Sequence, residues 1–554
     1  MEHFDIHQAI AKHNREASGG KPPWLLYWQL AGAALVAILA AFGFGIAAIY
    51  NLTRHVIDGG YGSGYYSGNY QYTHTHPTLA ALFFLLAVAA GFGARWLIQH
   101  MKAWGARLID IDGGREDERH QKGTKILHVK DAGYHLPTPQ GALTIAGVPL
   151  PSSVEQQHIL LAGAPGSGKS EALKTLIAQV RARGSDGAVI HDPTGEMVAL
   201  FYDPKRDLII NPLDARHAPW DLWSDLQPGE EANLAKAIIP SATGDNKYFS
   251  DAAQALLEVL FQQTRNIDDL VKAGLGESAQ ELVERLERAG MGGLAGNVKT
   301  FGSVRGNLAP YLRSLALLPP VPPGLGINLA GFCEKPKGRF IFLLTRRRTK
   351  DILRPLHQLF LTQVVSTATS LRPDPSRRIW LFLDELPELL PSDAVATSLS
   401  QGRKFGLSSV MALQAYGQMY ERVGQHEAAA LLSMPKTRLI LRVGDGETAE
   451  AASKEIGDRQ IQRRQVSSSQ APAGGESMGT RNTTSTTWQT TTERAVLPAE
   501  IMALPDLHGY LRIEASTMRV TLRYTPRTAV QQDYQPVPPR PLPVAEKKEA
   551  GEEN

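Results

Sequence analysis

Eight consecutive residues, Gly163-Ala164-Pro165-Gly166-Ser167-Gly168-Lys169-Ser170, set three glycines ahead of a lysine and a hydroxyl. This is the spacing of a phosphate-binding P-loop, the Walker A pattern. Glycine lets backbone N–H groups close on phosphate oxygens, and the following helix N-terminus adds its dipole. Lys169 is expected to reach the β- and γ-phosphates, and the Ser170 hydroxyl to ligate Mg²⁺. Gly163, Ala164, Pro165, Gly166, Ser167, Gly168, Lys169, Ser170 and Glu171 form the expected nucleotide-binding set, with ATP and Mg²⁺ as cofactors. Further along, Arg378-Ile379-Trp380-Leu381-Phe382-Leu383 ends in Asp384-Glu385, the Walker B pattern. There Asp384 can hold the Mg²⁺ shell while Glu385 accepts a proton from the attacking water. The competing reading of Asp384-Glu385 is an acidic helix cap. A P-loop in the same chain favours the catalytic one.

Strands and helices must bring these residues together. Ile159–Ala162 is a short apolar run before the P-loop, and Leu173, Leu176, Ile177 and Val180 share one face of a helix after it. Ala188–His191, Arg339–Leu344 and Leu407–Leu413 read as further strands, with Gly509–Glu514 and Met518–Tyr524 near the end. Alternation with helices predicts an α/β fold whose parallel sheet carries its ligands at the strand C-termini. Gln414 follows one of these strands, where an amide can sense the γ-phosphate or orient water, or simply be a polar strand end. Arg403-Lys404 and Arg346-Arg347-Arg348-Thr349-Lys350 are basic runs. Arg403 suits an arginine finger reaching a neighbouring subunit's nucleotide; a solvated face is the commoner meaning of such runs.

The chain has 554 residues, too many for one core. Its formal net charge of +3 argues neither for nor against an acidic partner, so any nucleic-acid contact requires a local basic surface. A single cysteine, Cys333, excludes an intramolecular disulfide. Two apolar stretches, Leu25–Tyr50 and Thr78–Ile98, are each long enough to span a hydrocarbon core of about 30 Å. A cleaved signal peptide fits the first poorly, because the apolar stretch is too long and a second follows at once. Lys12, Arg15 and Lys21 before the spans, and Arg95, Lys102 and Arg107 at their end, predict that both termini and the catalytic body are cytoplasmic. The expected organisation is an N-terminus over 1–24 and a two-span anchor over 25–98 with an outward loop at 51–77. A nucleotide-binding domain over 99–226 and 324–527 follows, split by an all-α domain over 227–323. A flexible Ser/Thr/Gly-rich loop (465–492) and a disordered Pro-rich tail (528–554) complete it.

Taken in order, these features resemble the type IV coupling proteins of conjugation and type IV secretion (the TraD/TrwB/VirD4 branch). The resemblance rests on the anchor, the P-loop and His191-Asp192-Pro193-Thr194-Gly195-Glu196. It continues through Tyr202-Asp203-Pro204, Ile210-Asn211-Pro212-Leu213-Asp214, the helical insertion, Asp384-Glu385, and Gly402-Arg403-Lys404-Phe405-Gly406 before Gln414. It implies a RecA-like P-loop motor domain with an inserted all-α domain, preceded by two transmembrane helices in a bacterial inner membrane. It further implies a homo-hexameric ring that couples relaxase-bound, single-stranded DNA of the relaxosome to the secretion channel and drives DNA transfer by hydrolysing ATP. Catalytic roles carry over to Lys169, Asp384 and Glu385, and an arginine-finger role to Arg403. The chain departs from some members in lacking a long acidic C-terminal extension, which bears on how a relaxosome would dock. Two other functions compete: a binding module, the nucleotide-dependent receptor recruiting protein substrates to the channel, and an FtsK-type DNA translocase, which shares the motor core. Two spans and a Pro-rich ending argue against the latter.

Overall fold

The computed structural model describes residues 118–128, 141–242, 244–294, 298–322, 324–472 and 480–543. Ten strands form its main sheet: β1 (Ile126–His128), β2 (Ile159–Ala162), β3 (Gly187–Asp192), β4 (Leu208–Ile209), β5 (Phe340–Leu344), β6 (Ile379–Leu383), β7 (Leu407–Leu413), β8 (Thr437–Leu441), β9 (His508–Ile513) and β10 (Ser516–Thr521). Across the sheet they run β1-β10-β9-β8-β2-β7-β6-β3-β5-β4. Every neighbouring pair from β8 to β4 is parallel. Strand β9 is antiparallel to β8 and β10, and β1 is parallel to β10. In β2, β5, β6 and β7 every residue is buried, because a parallel sheet covered by helices on both faces has no wet side. Parallel strands put their C-terminal ends along one edge, where β2, β7, β6 and β3 deliver the P-loop, Gln414, Asp384 and Asp192.

Helix α1 (Lys169–Arg183) follows β2 directly and buries Leu173, Leu176, Ile177 and Val180. Between β4 and β5 the chain leaves the sheet for an all-α region: α2 (Glu231–Ile238), α3 (Lys247–Gln263), α4 (Ile267–Gly276), α5 (Ala279–Arg288) and α6 (Val298–Leu315). Leu256, Leu257, Leu260 and Phe261 of α3 are fully buried, as helical spacing predicts for a core-facing stripe. The start of α5 is fixed by a capping box in which Ser278 and Glu281 satisfy each other's backbone N–H. Helix α6 runs on through Pro310. The chain re-enters the sheet at β5, then forms α7 (Lys350–Ser370), which packs against α2 and α6.

Three expectations are corrected. The segment 465–492 is not a loop: its described residues belong to the long strands Asp458–Pro472 and Thr480–Arg494, which join Glu118–Gly123 in a three-stranded sheet. Its Ser and Thr residues are β-branched or small and suit strands as well as loops. In this unit Arg463 pairs with Glu118 at 3.0 Å, and Arg119 lies over the Trp488 ring. Residues 525–543 are not a free tail: Val530 and Gln531 N–H groups donate to the Ala199 carbonyl, and Val537 N–H to Leu213. Tyr534 OH donates to the Leu213 carbonyl at 2.8 Å, and Arg540 pairs with Asp268 at 2.6 Å. Proline excludes regular structure there while leaving these donors free to pair with the body.

The third correction concerns the inner membrane. Among the described residues no helix is long and apolar enough to cross a membrane. The longest, α7, buries His357, Gln358 and Gln363 along with its apolar residues and carries Lys350, Asp351 and Arg354 at its start, the makeup of a core helix. The two-span assignment, with both termini cytoplasmic, is withdrawn; residues 25–50 and 78–98, on which it rested, lie outside the described residues.

Candidate nucleotide site

The P-loop is a tight turn from β2 into α1. Its entry is tied to both neighbouring strand ends: Gly163 N–H donates to the Leu413 carbonyl at 3.2 Å and Ala164 N–H to that of Arg442 at 2.7 Å. Gly166 (φ +77°) and Gly168 (φ +117°) adopt left-handed backbone that L side chains resist. At Gly168 a Cβ would also stand 2.9 Å from Leu507 Cδ2. Ser167 Oγ donates to the Ala164 carbonyl at 2.7 Å, bracing the loop from inside. The Lys169 ammonium is buried and donates to the Gly163 and Ala164 carbonyls of its own loop. Burial pulls its pKa down, and the nearby carboxylates of Glu385 and Asp384 pull it back up.

Two strands away, β6 ends in the Asp384-Glu385 turn. Glu385 has φ +56° and ψ +59°, a left-handed conformation on a residue that is not glycine. Burial, reinforced by the charges of Asp192 and Glu385, pushes the Asp384 carboxyl up to about 6. Burial also raises Glu385, opposed by a hydrogen bond from Gln414 and the charge of Lys169. That bond is direct: Gln414 Nε2 donates to Glu385 Oε2 at 2.7 Å. Strand β7 lies between β2 and β6, so Gln414 at its end stands between the strand that leads into the P-loop and the strand that carries the carboxylates.

Around this core stand groups that no motif in the sequence assigns to the site. His191, at the end of β3, bonds through Nδ1 to the Asp384 carbonyl at 2.6 Å. Burial lowers its pKa and keeps the ring neutral. Asp192 accepts from Gly195 and Val198 N–H groups, each at 2.8 Å, and closes the next turn. Lys350 reaches Glu388 at 3.1 Å in the short helix after Glu385. The strand-end His-Asp pair was visible in the sequence, but nothing local shows that β3 lies beside β6.

The remaining expected residues lie around and beyond this core. Ser170 is exposed at the α1 start. The Glu171 carboxylate turns away to the chain's end, where it accepts from Thr525 N–H at 3.0 Å and from Arg527 at 2.8 Å. It also lines a cavity of about 640 Å³ with Ala146, Thr175, His508, Arg519 and Thr525. Arg403 is exposed in the turn before β7, at the strand end opposite Gln414. The seven residues of β7 separate the two by about 20 Å, so Arg403 does not meet the site within its own chain. Of the basic run, Arg346 is held by the Thr194 carbonyl and Asp533, and Lys350 by Glu388.

A P-loop after a central parallel strand, acidic strand ends beside it and an all-α insertion define an α/β P-loop motor with an all-α domain. Residues 142–523 match the family model described as the type IV secretion-system coupling protein DNA-binding domain, and the chain belongs to that family. It is 28% identical over 442 residues to the coupling protein TraD of Escherichia coli (strain K12). That match covers 77% of this chain and 60% of the relative's length. The bacterial conjugative coupling protein TrwBdeltaN70, in its unbound monoclinic form, has 27% identity and a TM-score of 0.68, covering 77% of this chain and 98% of that one. TrwB in complex with ADP and Mg²⁺ has 26% identity and a TM-score of 0.66, covering 76% and 99%.

Proposed function

We propose that this chain is an ATP hydrolase that acts as a conjugation coupling protein, linking a relaxase–DNA complex to a type IV secretion channel as a homo-hexameric ring. The observation that carries the hydrolytic part is the Gln414–Glu385 bond, beside a buried Lys169 influenced by Asp384 and Glu385. Lys169 exchanges its loop carbonyls for β- and γ-phosphate oxygens, at little cost because both partners are oxygen acceptors. A water held by Gln414 and Glu385 attacks the γ-phosphorus. The bond to the β–γ bridging oxygen breaks, ADP leaves, and the water's proton passes to Glu385. The Ser170 hydroxyl and Asp384 carboxylate are hard oxygen donors that suit Mg²⁺, which when bound neutralises charge developing on the phosphates. Burial holds the Asp384 carboxyl up at about 6, and a cation facing it would favour its ionised form. The cavity beside α1 has room for a ribose and base next to the phosphates.

TraD and TrwB are named as coupling proteins, and TrwB has been solved with ADP and Mg²⁺ and with a non-hydrolysable ATP analogue. These likenesses support the same ligands and the same role here. Arg403 then serves as an arginine finger in a neighbouring subunit, which accounts for its position away from its own P-loop. The test is ATP turnover by the full chain with and without single-stranded DNA. Turnover that rises with DNA and vanishes in Lys169→Ala is expected, as is loss of DNA transfer in cells carrying that variant. Transfer at the normal level with Lys169→Ala sinks the motor reading. Turnover indifferent to DNA supports instead a receptor that recruits protein substrates.

A further inference from the structure

Glu385 stands in left-handed backbone, φ +56° and ψ +59°, which costs a residue with a Cβ about 1 to 2 kcal/mol. Such a conformation persists only where its surroundings hold it. The peptide joining Asp384 to Glu385 sets the direction of the Glu385 side chain, because turning that peptide changes Glu385 φ. Its carbonyl oxygen meets His191 Nδ1 at 2.6 Å. A carbonyl can only accept, so the ring proton sits on Nδ1 and the bond has one polarity.

His191 is itself rigidly placed. It lies in β3 opposite Leu383 of the neighbouring β6, and is 2% exposed. Its ring meets His357 of α7 edge-on, with centroids 6.0 Å apart, and His357 Nε2 bonds to the Ile210 carbonyl at 3.2 Å. On the far side of the turn Glu388 N–H donates to the Glu385 carbonyl at 2.9 Å, and Lys350 of α7 holds the Glu388 side chain. The turn is thus gripped before and after Glu385. The grip before it acts on the peptide that aims the carboxylate toward Gln414; the N–H of that same peptide also faces the Asp384 carboxylate.

We infer that His191 is a positioning residue for ATP hydrolysis: its Nδ1–H holds the Asp384 carbonyl and so keeps Glu385 in the left-handed conformation that presents its carboxylate to the attacking water. This rests on the reading of Glu385 as the proton acceptor. An amide nitrogen in Asn reaches about where Nδ1 lies, whereas Gln carries its amide further out and Leu has no donor. In the full chain, His191→Leu and His191→Gln therefore lower kcat about 10- to 100-fold with KM for ATP within about twofold, the scale of an ångström-level misplacement. His191→Asn keeps kcat within about threefold of the parent. In a Glu385→Gln background, adding His191→Gln lowers kcat no further, because the group it aims is already gone.

Wild-type kcat in a folded His191→Gln or His191→Leu protein overturns the inference. So does a loss in His191→Asn equal to that in His191→Leu, or a loss confined to KM. An additive loss in the double variant does the same, and the fold-retaining Gln variant keeps that comparison open if Leu destabilises the core. Parent protein and Lys169→Ala are run alongside. A parent without Lys169-dependent turnover defeats the ATPase reading, whereas an active parent with unaffected His191 variants defeats this inference alone.

Discussion

Two tight turns stand at the ends of nearby strands, and they solve one backbone problem in opposite ways. The P-loop turns with Gly166 and Gly168 at φ +77° and +117°. The Asp384-Glu385 turn does so with glutamate at φ +56°. At the P-loop the functional atoms are main-chain N–H groups and a lysine beyond the bend, so the bend itself can be glycine. At the second turn the functional atom is the side chain of the strained residue, so glycine is unavailable and hydrogen bonds from His191 and within the turn hold the conformation instead. Strain without glycine marks the residue whose side chain matters.

The largest break in that comparison comes from the side chains. Lys169→Ala removes the ammonium that would bridge two phosphates. Nucleotide binding is expected to weaken by about 3 to 6 kcal/mol, two charge-assisted bonds, with turnover lost. Isothermal titration with an ATP analogue checks the first figure. Next comes Glu385→Gln, which leaves the P-loop untouched: binding holds near the parent's value while kcat falls about 10²- to 10⁴-fold. If Glu385→Gln loses binding instead, the division of labour between the two turns is wrong.

The two turns also differ in how they could be read. Gly163 to Ser170 announces itself in eight contiguous residues, because the loop makes its own site. The sheet's α/β character was likewise legible in apolar runs such as Phe340–Leu344 and Leu407–Leu413, and the insertion in the spacing of Leu256, Leu257 and Leu260. The surroundings of Glu385 were not legible. His191 is over 190 residues from Asp384, and only sheet order makes them neighbours. Strand β8, beside the P-loop strand, also escaped reading: Thr437-Arg438-Leu439-Ile440-Leu441 is short and holds a charge. Arg438 is tolerated there because it pairs with Glu455 at 2.5 Å. Residues 525–543 looked disordered because composition reports on proline and not on the carbonyls waiting at Ala199 and Leu213.

A smaller effect follows from charge. The Asp384 carboxyl is raised from 3.8 to about 6 by burial in the folded chain. Between those values the folded state holds a proton that the unfolded state has released, so stability falls as pH rises from about 4 to about 6 and levels off above. The full loss is about 2 to 3 kcal/mol at 1.36 kcal/mol per unit. Asp384→Asn removes this dependence, so the variant is more stable than its parent at pH 7.5 and nearly equal near pH 4, without nucleotide in both cases. Urea midpoints at the two pH values test it; equal differences at both leave Asp384 with an ordinary pKa.

The smallest effect is the cleanest measure of strain. Gly166 has no neighbouring atom within 4 Å of a built Cβ, so Gly166→Ala reports the left-handed penalty alone. Its stability is expected to fall by about 1 kcal/mol, the backbone cost less the entropy glycine loses on folding. At the other turn, Glu385→Gly and Glu385→Ala both lack the carboxylate and differ only in that penalty. The glycine variant should then be more stable than the alanine one by the same amount, about 1 kcal/mol, and neither should regain turnover. Equal denaturation midpoints for the two Glu385 variants would show that the turn carries no strain. A matching difference at both sites means the chain tolerates at Glu385 a cost it avoids at Gly166, and the only thing gained in exchange is a carboxylate at that point.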